Sequence, residues 1–294
     1  MNPSCHRQRF TAIGIDLKTS RLLPGSGISA KLNEVMCLIL FAYRVHPDYR
    51  LLLAANRDEF YRRPTAPARF WEDSPDLLAG RDLEAGGSWC GITKSGRVAM
   101  VTNVRDDAEK RPGGRSRGEL VSRFLQQSSD PSAYLRQVQQ KRHAYKGFNL
   151  LVGAREDLFY YSNRQNRIYR LKPGIYGLSN HLLDTDWPKV RHGKNAVADL
   201  LCGEPYPEAW FEVLADRWQP PDRELPDTGF GLEWERLLAT RFICSEMYGT
   251  RSSTLLFWRK DDRIQYIERR FEVHSMEISG ESSWIFSLSA EIED

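Results

Sequence analysis

The 294-residue sequence lacks the features that define several large classes of protein. It contains no run of 18 apolar residues, so we expect no membrane-spanning helix and no stable membrane insertion. No Cys-x-x-Cys or His-Glu-x-x-His spacing is present, which leaves a metal site or covalently attached haem without sequence support. Neither a Gly-x-Gly-x-x-Gly nor a Walker-type loop follows an apolar run, so nucleotide binding by those routes is not expected.

The chain also has little net charge, and the excess lies at one end. A formal charge of +3 is too small to predict binding to nucleic acid. Five of the 42 basic residues but only two of the 39 acidic residues lie within positions 1–35, which leaves 37 of each sign from Met36 onward. We therefore expect residues 1–35 to be a disordered leader that is absent from the mature protein, and residues 36–294 to form a single domain.

Cysteine is sparse and unpaired in sequence. The five cysteines stand singly along the chain, which favours a reducing compartment over a disulfide framework. The N-terminal segment lacks an apolar stretch long enough for a secretory signal. A cytoplasmic location is therefore expected.

What is present is a succession of strand-like and helix-like patterns. Apolar runs at 37–45 and 49–56 flank a turn cluster and predict a hairpin, and 87–96 with 97–103 predict a second one. A Ser-x-x-Glu capping box at 116–119 predicts the start of a helix, and further helices fit 131–142, 187–201 and 207–218. Strand patterns cover 148–154, 157–163, 167–172, 175–180, 242–260, 263–273 and 282–290. Strands at both ends with helices between them favour an α+β layered fold.

The most informative feature joins the first two predicted strands. Cys37 opens the first strand, and Asn-Arg-Asp-Glu at 56–59, called the polar segment below, ends the second. One interpretation is that the polar segment caps the strand as a surface turn. The other is that the hairpin returns Arg57 or Asp58 to Cys37, where a cation or a free amine activates the thiol as a nucleophile.

Six short motifs are spread along the chain: MC at 36–37, ANRDE at 55–59, GGSW at 86–89, VTN at 101–103, GLSN at 177–180 and GTRSST at 249–254. Together they resemble the NRDE family, the family of Transport and Golgi Organisation protein 2. The resemblance runs from Met36 to near the C-terminus. It implies a relation to the N-terminal nucleophile (Ntn) hydrolases and hence a four-layer αββα sandwich, in agreement with the order of strands and helices.

The resemblance also implies catalytic roles. Cys37 matches the N-terminal cysteine nucleophile of the choloylglycine-hydrolase branch, and Asp58 matches the aspartate that holds the amine of that nucleophile. Asn103 and Asn180 match two asparagines near the oxyanion.

Four residues are expected to contact the substrate: Asn56, Arg57, Arg251 and His181. Arg251 is a weaker match to a late arginine of the choloylglycine branch, and His181 directly follows the second of the two asparagines. One departure is visible, because the arginine that precedes Asn-x-Asp in those hydrolases falls here on Ala55. Arg57 stands instead one residue before the aspartate.

The chemistry requires Cys37 to be the first residue. An α-amine has a pKa of about 8 and can accept the thiol proton at neutral pH, whereas a peptide nitrogen cannot. We therefore expect translation to start at Met36 and Met36 to be trimmed.

Two functions remain open. The first is hydrolysis of a linear amide C–N bond in a small molecule, with no cofactor or metal required. The second is a non-catalytic carrier on the same fold, for which the family's link to haem handling implies haem as the ligand and Cys37 or His181 as an axial ligand. The hydrolase function predicts that six residues converge on one pocket: Cys37, Asn56, Asp58, Asn103, Asn180 and Arg251. If they scatter over the surface instead, the carrier function is favoured.

Overall fold

Two antiparallel sheets form the centre of the structure, a computed structural model that describes residues 36–105 and 114–288. The first sheet has six strands. In the order in which they lie side by side, they are β10 (Gly174–Leu178), β1 (Met36–Tyr43), β2 (Tyr49–Phe60), β11 (Tyr248–Arg259), β12 (Arg263–Phe271) and β13 (Ile278–Ser287). The leader predicted at 1–35 and the last residues of the predicted domain, 289–294, lie outside the described residues.

The second sheet has seven strands, and their order in the sheet follows the chain. They are β3 (Thr65–Trp71), β4 (Ser74–Asp82), β5 (Cys90–Thr93), β6 (Val98–Asn103), β7 (Phe148–Gly153), β8 (Leu158–Ser162) and β9 (Arg167–Arg170). Each strand therefore pairs antiparallel with the next strand of the chain. The connections between them are short, except for the helical segment between β6 and β7.

Helices cover the outer face of each sheet. The described residues form α1 (Gly118–Gln126), α2 (Pro131–Gln140), α3 (Pro188–Asp199), α4 (Pro207–Ala215) and α5 (Leu232–Leu238), with 3₁₀ turns at Arg142–Ala144 and Asp222–Glu224. Helices α1 and α2 pack on the second sheet, and α3 and α4 pack on the first. Among the described residues no helix is long and apolar enough to cross a membrane.

The apolar core between the two sheets completes the layers. Side chains from both sheets meet there, including Phe41 and Leu256 from the first and Met100 and Tyr160 from the second. Since alternate residues of a strand point to opposite faces, the other half of each central strand packs against helices. The predicted α+β fold with an αββα order of layers is therefore confirmed.

The first hairpin forms as predicted, but its second strand is longer. β1 and β2 pair antiparallel over eight residue pairs, from Met36 opposite Asp58 to Tyr43 opposite Leu51. The polar segment lies inside β2, and all four of its side chains are buried. The interpretation of these residues as a surface turn is therefore wrong.

A further local prediction is wrong, and two elements are not indicated by the sequence. The hairpin of β3 and β4 and the helix α5 have weak apolar periodicity. The capping box does not form, because α1 begins after Arg117, which makes no side-chain cap. The carboxylate of Glu119 pairs instead with Arg115 and accepts a hydrogen bond from Tyr145 Oη.

The two ends of the sandwich are held together differently. At the hairpin end, defined by the turn at 44–48, ion pairs join the sheets: Glu156 pairs with Arg44 at 3.0 Å and Arg50 at 3.5 Å, and Arg155 pairs with Asp262 at 2.6 Å. The opposite end, at which β1 begins and β2 ends, is called the Cys37 end. At this end buried hydrogen bonds join the two sheets.

A glycine pair next to β5 fixes how the first helix approaches the second sheet. A Cβ at Gly87 would lie 2.4 Å from the carbonyl carbon of Gly118 and 2.7 Å from its oxygen, which is too close for backbone that cannot yield. Gly86 has φ of +74° but open space around it.

We expect Gly87→Ala to lower the free energy of unfolding by about 1–3 kcal/mol, because α1 must move away from the sheet. Gly86→Ala should cost only about 1 kcal/mol, the strain of its left-handed backbone. Urea denaturation of both variants measures the difference, and equal losses would contradict this account.

Candidate functional site

Cys37 lies at the start of β1 and faces the second sheet. It stands opposite Arg57 in the register of the hairpin, and it shares its face of β1 with Ile39 and Phe41, which belong to the core between the sheets. The side chain is only 5% exposed. Burial raises the pKa of the Cys37 thiol to about 12, and the nearby Asp58 carboxylate adds to this effect while Arg57 opposes it.

The polar segment divides between the two faces of β2. Arg57 and Glu59 point between the sheets, where their side chains approach to 3.4 Å and the Arg57 guanidinium lies 4.3 Å from the ring centre of Trp89. Asn56 and Asp58 point to the face covered by helices. The thiol of Cys37 and the carboxylate of Asp58 therefore lie on opposite faces of the sheet, with the backbone between them.

Asp58 shares its buried environment with a lysine that the sequence analysis did not single out. Thr250 Oγ1 donates a hydrogen bond of 2.6 Å to Asp58 Oδ1. Lys189, in the first turn of α3, is 4% exposed and donates from Nζ to the carbonyl of Leu238 at 2.9 Å. Burial raises the pKa of Asp58 and lowers the pKa of Lys189, and each charge favours ionisation of the other.

A signal for Lys189 was present in the sequence. A cation in the first turn of a helix opposes the helix dipole, so Lys189 directly after Pro188 is unusual on a solvated helix. A buried anion nearby explains its position.

Two strand ends bring the predicted asparagines to Cys37. Ser179 Oγ, just after β10, lies 3.2 Å from the carbonyl oxygen of Cys37 and 3.1 Å from Asn180 Oδ1. Asn180 Nδ2 in turn donates to the carbonyl oxygen of Asn103 at 3.2 Å. Thr102 Oγ1 donates to the carbonyl of Ser179 at 2.7 Å. Cys37, Asn103 and Asn180 are thus linked by buried polar contacts that cross from sheet to sheet, in which the one proton of the Ser179 hydroxyl faces both the Cys37 carbonyl and Asn180 Oδ1.

Asn56 is held in a different network. Its Nδ2 donates to the carbonyl oxygens of Leu214 at 2.9 Å and Arg241 at 2.7 Å, and its Oδ1 accepts from Ser253 at 2.5 Å. Both amide protons are used in tying β2 to the chain around α4 and after α5. This arrangement favours a structural role for Asn56 over the predicted contact with substrate.

Arg251 is the extra residue of a bulge in β11. The register shifts between Thr250, opposite Asp58, and Ser252, opposite Arg57. Arg251 is thereby directed to the turn after β2, where its Nη1 donates to the carbonyls at positions 60, 61 and 63 at 3.1–3.2 Å. Burial lowers the pKa of Arg251, and Arg57 adds to this effect.

His181 is exposed at the edge of this region. Its Nδ1 lies 2.8 Å from Thr185 Oγ1, and its ring contacts Trp187 with 5.7 Å between ring centres. Partial burial of the ring lowers the pKa of His181, and Arg105 acts in the same direction. Within 36–105 and 114–288, no three His, Cys, Asp or Glu side chains are grouped as ligands of a metal ion.

Comparison with known sequences decides the family. Residues 36–273 match the profile of the family described as Transport and Golgi organisation 2. The chain belongs to this family. The resemblance seen in the six motifs is thereby confirmed.

Relatives in the family match over most of their length. The chain is 36% identical to the mouse Transport and Golgi organization 2 homolog and 37% identical to the bovine homolog, each over 80% of this chain and 92% of the relative. It is 27% identical to the Drosophila melanogaster protein, over 79% of this chain and 91% of that protein.

Solved structures give weaker matches. The Caenorhabditis elegans N-acylethanolamine-hydrolyzing acid amidase ortholog matches with a TM-score of 0.40 and 9% identity, over 75% of this chain and 92% of that chain. Penicillin V acylase from Agrobacterium tumefaciens matches with a TM-score of 0.38 and 9% identity, over 86% of both chains.

The network around Asn56 leads to a stability prediction. Asn56→Asp replaces the donating amide by an oxygen that faces two carbonyl oxygens. We expect the free energy of unfolding to fall by about 3 kcal/mol or more, because buried acceptors lose their donors. The exposed Asn166, whose Oδ1 accepts from Tyr161 Oη, is the control. Asn166→Asp keeps that acceptor and should stay within about 0.5 kcal/mol of the parent protein.

Lys189 leads to a prediction of pH dependence. Folded Asp58 holds its proton more tightly than the unfolded chain does, so ionising this group lowers stability as pH rises above its ordinary pKa of about 4. Lys189→Met removes the cation that favours ionised Asp58, so the fall should steepen. The buried ammonium of the parent protein is unfavourable in acid, so the variant should gain stability there.

We therefore expect the free energy of unfolding of Lys189→Met, relative to the parent protein, to be about 2 kcal/mol lower at pH 8 than at pH 5. Denaturation at both pH values measures this difference. Lys194→Met, on the same helix, removes only a surface pair with Asp184 and should show little pH dependence. A loss that is equal at both pH values would count against the pairing of Lys189 with Asp58.

Proposed function

We propose that this chain is an Ntn-type cysteine amidohydrolase that cleaves a linear amide C–N bond when Cys37 is its first residue. The observation that carries the proposal is the set of buried polar contacts from the Cys37 carbonyl through Ser179 and Asn180 to the carbonyl of Asn103. These contacts link the backbone at Cys37, in the first sheet, to the backbone at Asn103, in the second sheet.

The position of residue 36 supports the role of Asp58. The hairpin register places Met36 opposite Asp58, so removal of Met36 would leave the new amine of Cys37 beside that carboxylate. A backbone nitrogen lies in the plane of the sheet, within reach of a side chain on the face opposite the thiol. Asp58 would then orient the amine while the sulfur faces the substrate between the sheets.

The buried thiol needs a base close by. With its pKa raised to about 12, Cys37 is protonated at neutral pH and must lose its proton as it attacks. An α-amine with a pKa of about 8 can take that proton and then return it to the leaving amine. The sulfur forms the acyl-enzyme, the C–N bond breaks, and water releases the acid.

Asn103 and Asn180 are proposed as the oxyanion donors. Amide N–H groups stabilise the negative charge of the tetrahedral intermediate without carrying a net charge themselves. The bonds of Ser179 and Thr102 fix the end of β10 against both sheets, so these donors would be positioned before substrate arrives.

Free thiols fit a reducing location. The four cysteines among the described residues form no disulfide, and the nucleophile must remain reduced to act. We therefore retain the cytoplasm as the proposed location.

The test compares chains that differ at the first residue. Protein expressed from Met36, with trimming verified by intact mass, should hydrolyse members of a panel of acyl p-nitroanilides, whereas the 294-residue chain should not. Cys37→Ala in the trimmed form should lower turnover by roughly 10³-fold or more. Cys202→Ala, which removes an exposed cysteine, is the matched control and should leave turnover unchanged.

Haem titration of the same proteins distinguishes the carrier function. Turnover that persists in Cys37→Ala, or in the chain with its amine blocked, would overturn the hydrolase proposal. Haem binding that is lost in Cys37→Ala, with no amide cleaved by the trimmed protein, would favour the carrier instead.

A further inference from the structure

Each sheet has two edge strands, and three of these four edges of the described structure are protected against pairing with another chain. In β3, Pro67 lacks an N–H group and the register with β4 shifts twice. β9 has only four residues, with Arg167 and Arg170 at its ends. In β10, Gly177 donates from its N–H to Asp184 Oδ1 and its carbonyl accepts from the Asp184 N–H. Proline, irregular register, charge, short length and a covering loop all keep a further strand from pairing with an edge.

The fourth edge, β13, lacks these protections from Gly280 onward. It is ten residues long, the longest of the four edges in the described part of the chain, and contains no proline, lysine or arginine. Its one charged residue is Glu281, which pairs with Arg269 of β12. The register with β12 is unbroken from Gly280 to Ser287. Length, regular pairing and low charge are the properties of an edge that accepts another strand.

The hydrogen bonds to β12 show which backbone groups of β13 point away from the sheet. Leu288 donates from its N–H to the carbonyl of Asp262 at 3.0 Å, in continuation of the β12–β13 register. Hydrogen-bonded and non-hydrogen-bonded pairs alternate along an antiparallel ladder. Even-numbered residues from 280 to 288 therefore direct their N–H and C=O groups to β12, and the odd-numbered residues direct theirs outward. The outward residues are Glu281, Ser283, Ile285 and Ser287, and all four are exposed.

The outward residues include an exposed apolar side chain. Ile285 is 73% exposed, more than any other large apolar side chain of the described residues. Its neighbours Trp284 and Phe286 point to the other face of β13 and pack against the core between the sheets. A strand that pairs with β13 therefore covers Ile285 and satisfies the outward backbone groups at the same time.

We propose that β13 pairs antiparallel with β13 of a second copy of this chain, across a two-fold axis at Trp284. This register places Glu281 opposite Ser287 of the partner subunit and Ser283 opposite Ile285 of the partner subunit. The symmetry repeats both pairs. Each pair exchanges two backbone hydrogen bonds, so all four outward residues are used, and the two six-stranded sheets join into one continuous sheet.

The sequence of β13 suits a copy of itself. Like charges directly opposite each other destabilise a strand pair, and in this register the one charge, on Glu281, lies opposite a serine. Ile285 lies diagonal to Ile285 of the partner subunit, where the two apolar side chains partly cover each other. A two-fold contact is self-complementary and closes after one partner has bound. It therefore removes both open edges without forming a filament.

This contact does not depend on the proposed hydrolysis. In the first sheet, β2, β11 and β12 lie between β13 and the strand that carries Cys37. No residue assigned to amide cleavage belongs to β13. The oligomeric state therefore tests the contact whether or not the chain cleaves amides.

Sedimentation velocity of the 294-residue chain, over a range of micromolar concentrations, should show a dimer in equilibrium with the monomer. Ser283→Pro removes one outward N–H group from each copy but no hydrogen bond to β12, so the dimer loses two hydrogen bonds. We expect its dissociation constant to rise by about tenfold or more. Ser283→Ala keeps the N–H group and is the matched control, with an unchanged dissociation constant.

Ile285→Lys is a second test, for the case that Ser283→Pro does not fold. It places two ammonium groups on neighbouring strands of the dimer and should abolish the dimer, while circular dichroism verifies the fold. Leu83→Lys, at an exposed apolar position of the other sheet's β4–β5 connection, is the control and should leave the dimer intact.

Three results would overturn the proposal. One is a parent protein that stays monomeric throughout the concentration range. Another is a dimer that persists unchanged in folded Ser283→Pro or in Ile285→Lys, because its interface then lies elsewhere. The third is a loss of the dimer in Ser283→Ala or Leu83→Lys as large as in the variant that each controls.

Discussion

Burial of the polar segment is the constraint on which the Cys37 end of the molecule depends. Three ionisable groups and an amide follow one another along a central strand, and water reaches none of them freely. Each must therefore find a partner inside the protein or shift its pKa. Asn56 donates to two carbonyls. Asp58 accepts from Thr250 and lies in the field of the Lys189 charge. Arg57 approaches Glu59 and packs on the ring of Trp89.

Because alternate side chains of β2 point to opposite faces of the sheet, these buried polar groups lie in two chemically different environments. Toward the helices, Asp58 accepts from Thr250, Lys189 donates to the Leu238 carbonyl, and the charge of each favours ionisation of the other. Toward the second sheet, Arg57 shares an enclosed space with the thiol of Cys37 and with Glu268, whose pKa burial raises to about 7. The thiol of Cys37 thus faces the space between the sheets, whereas the Asp58 carboxylate lies on the other side of the backbone.

Much of the architecture could be predicted from the sequence, because apolar periodicity and turn residues act locally. The first hairpin and the helix at 188–199 follow from such patterns. The burial of residues 56–59 within β2 could not be predicted, since a run of polar residues resembles a strand end until its partners are known. Those partners, including Ser253, Leu214 and Lys189, are more than 100 residues away and come together only through the pairing of β2 with β11 and the packing of α3. Arg251 shows the same limit, because the bulge that directs it is a property of two strands rather than of its own sequence.

The two ends of the sandwich should respond differently to salt. The ion pairs at the hairpin end include the largely exposed Glu156, and exposed pairs are screened once the Debye length falls from about 8 Å at physiological ionic strength to about 3 Å at 1 M. The bonds at the Cys37 end, through Ser179 and Asn180, join neutral groups that are buried, and screening leaves them intact. Rising ionic strength therefore loosens the contact between the sheets from the hairpin end, while the geometry around Cys37 is preserved.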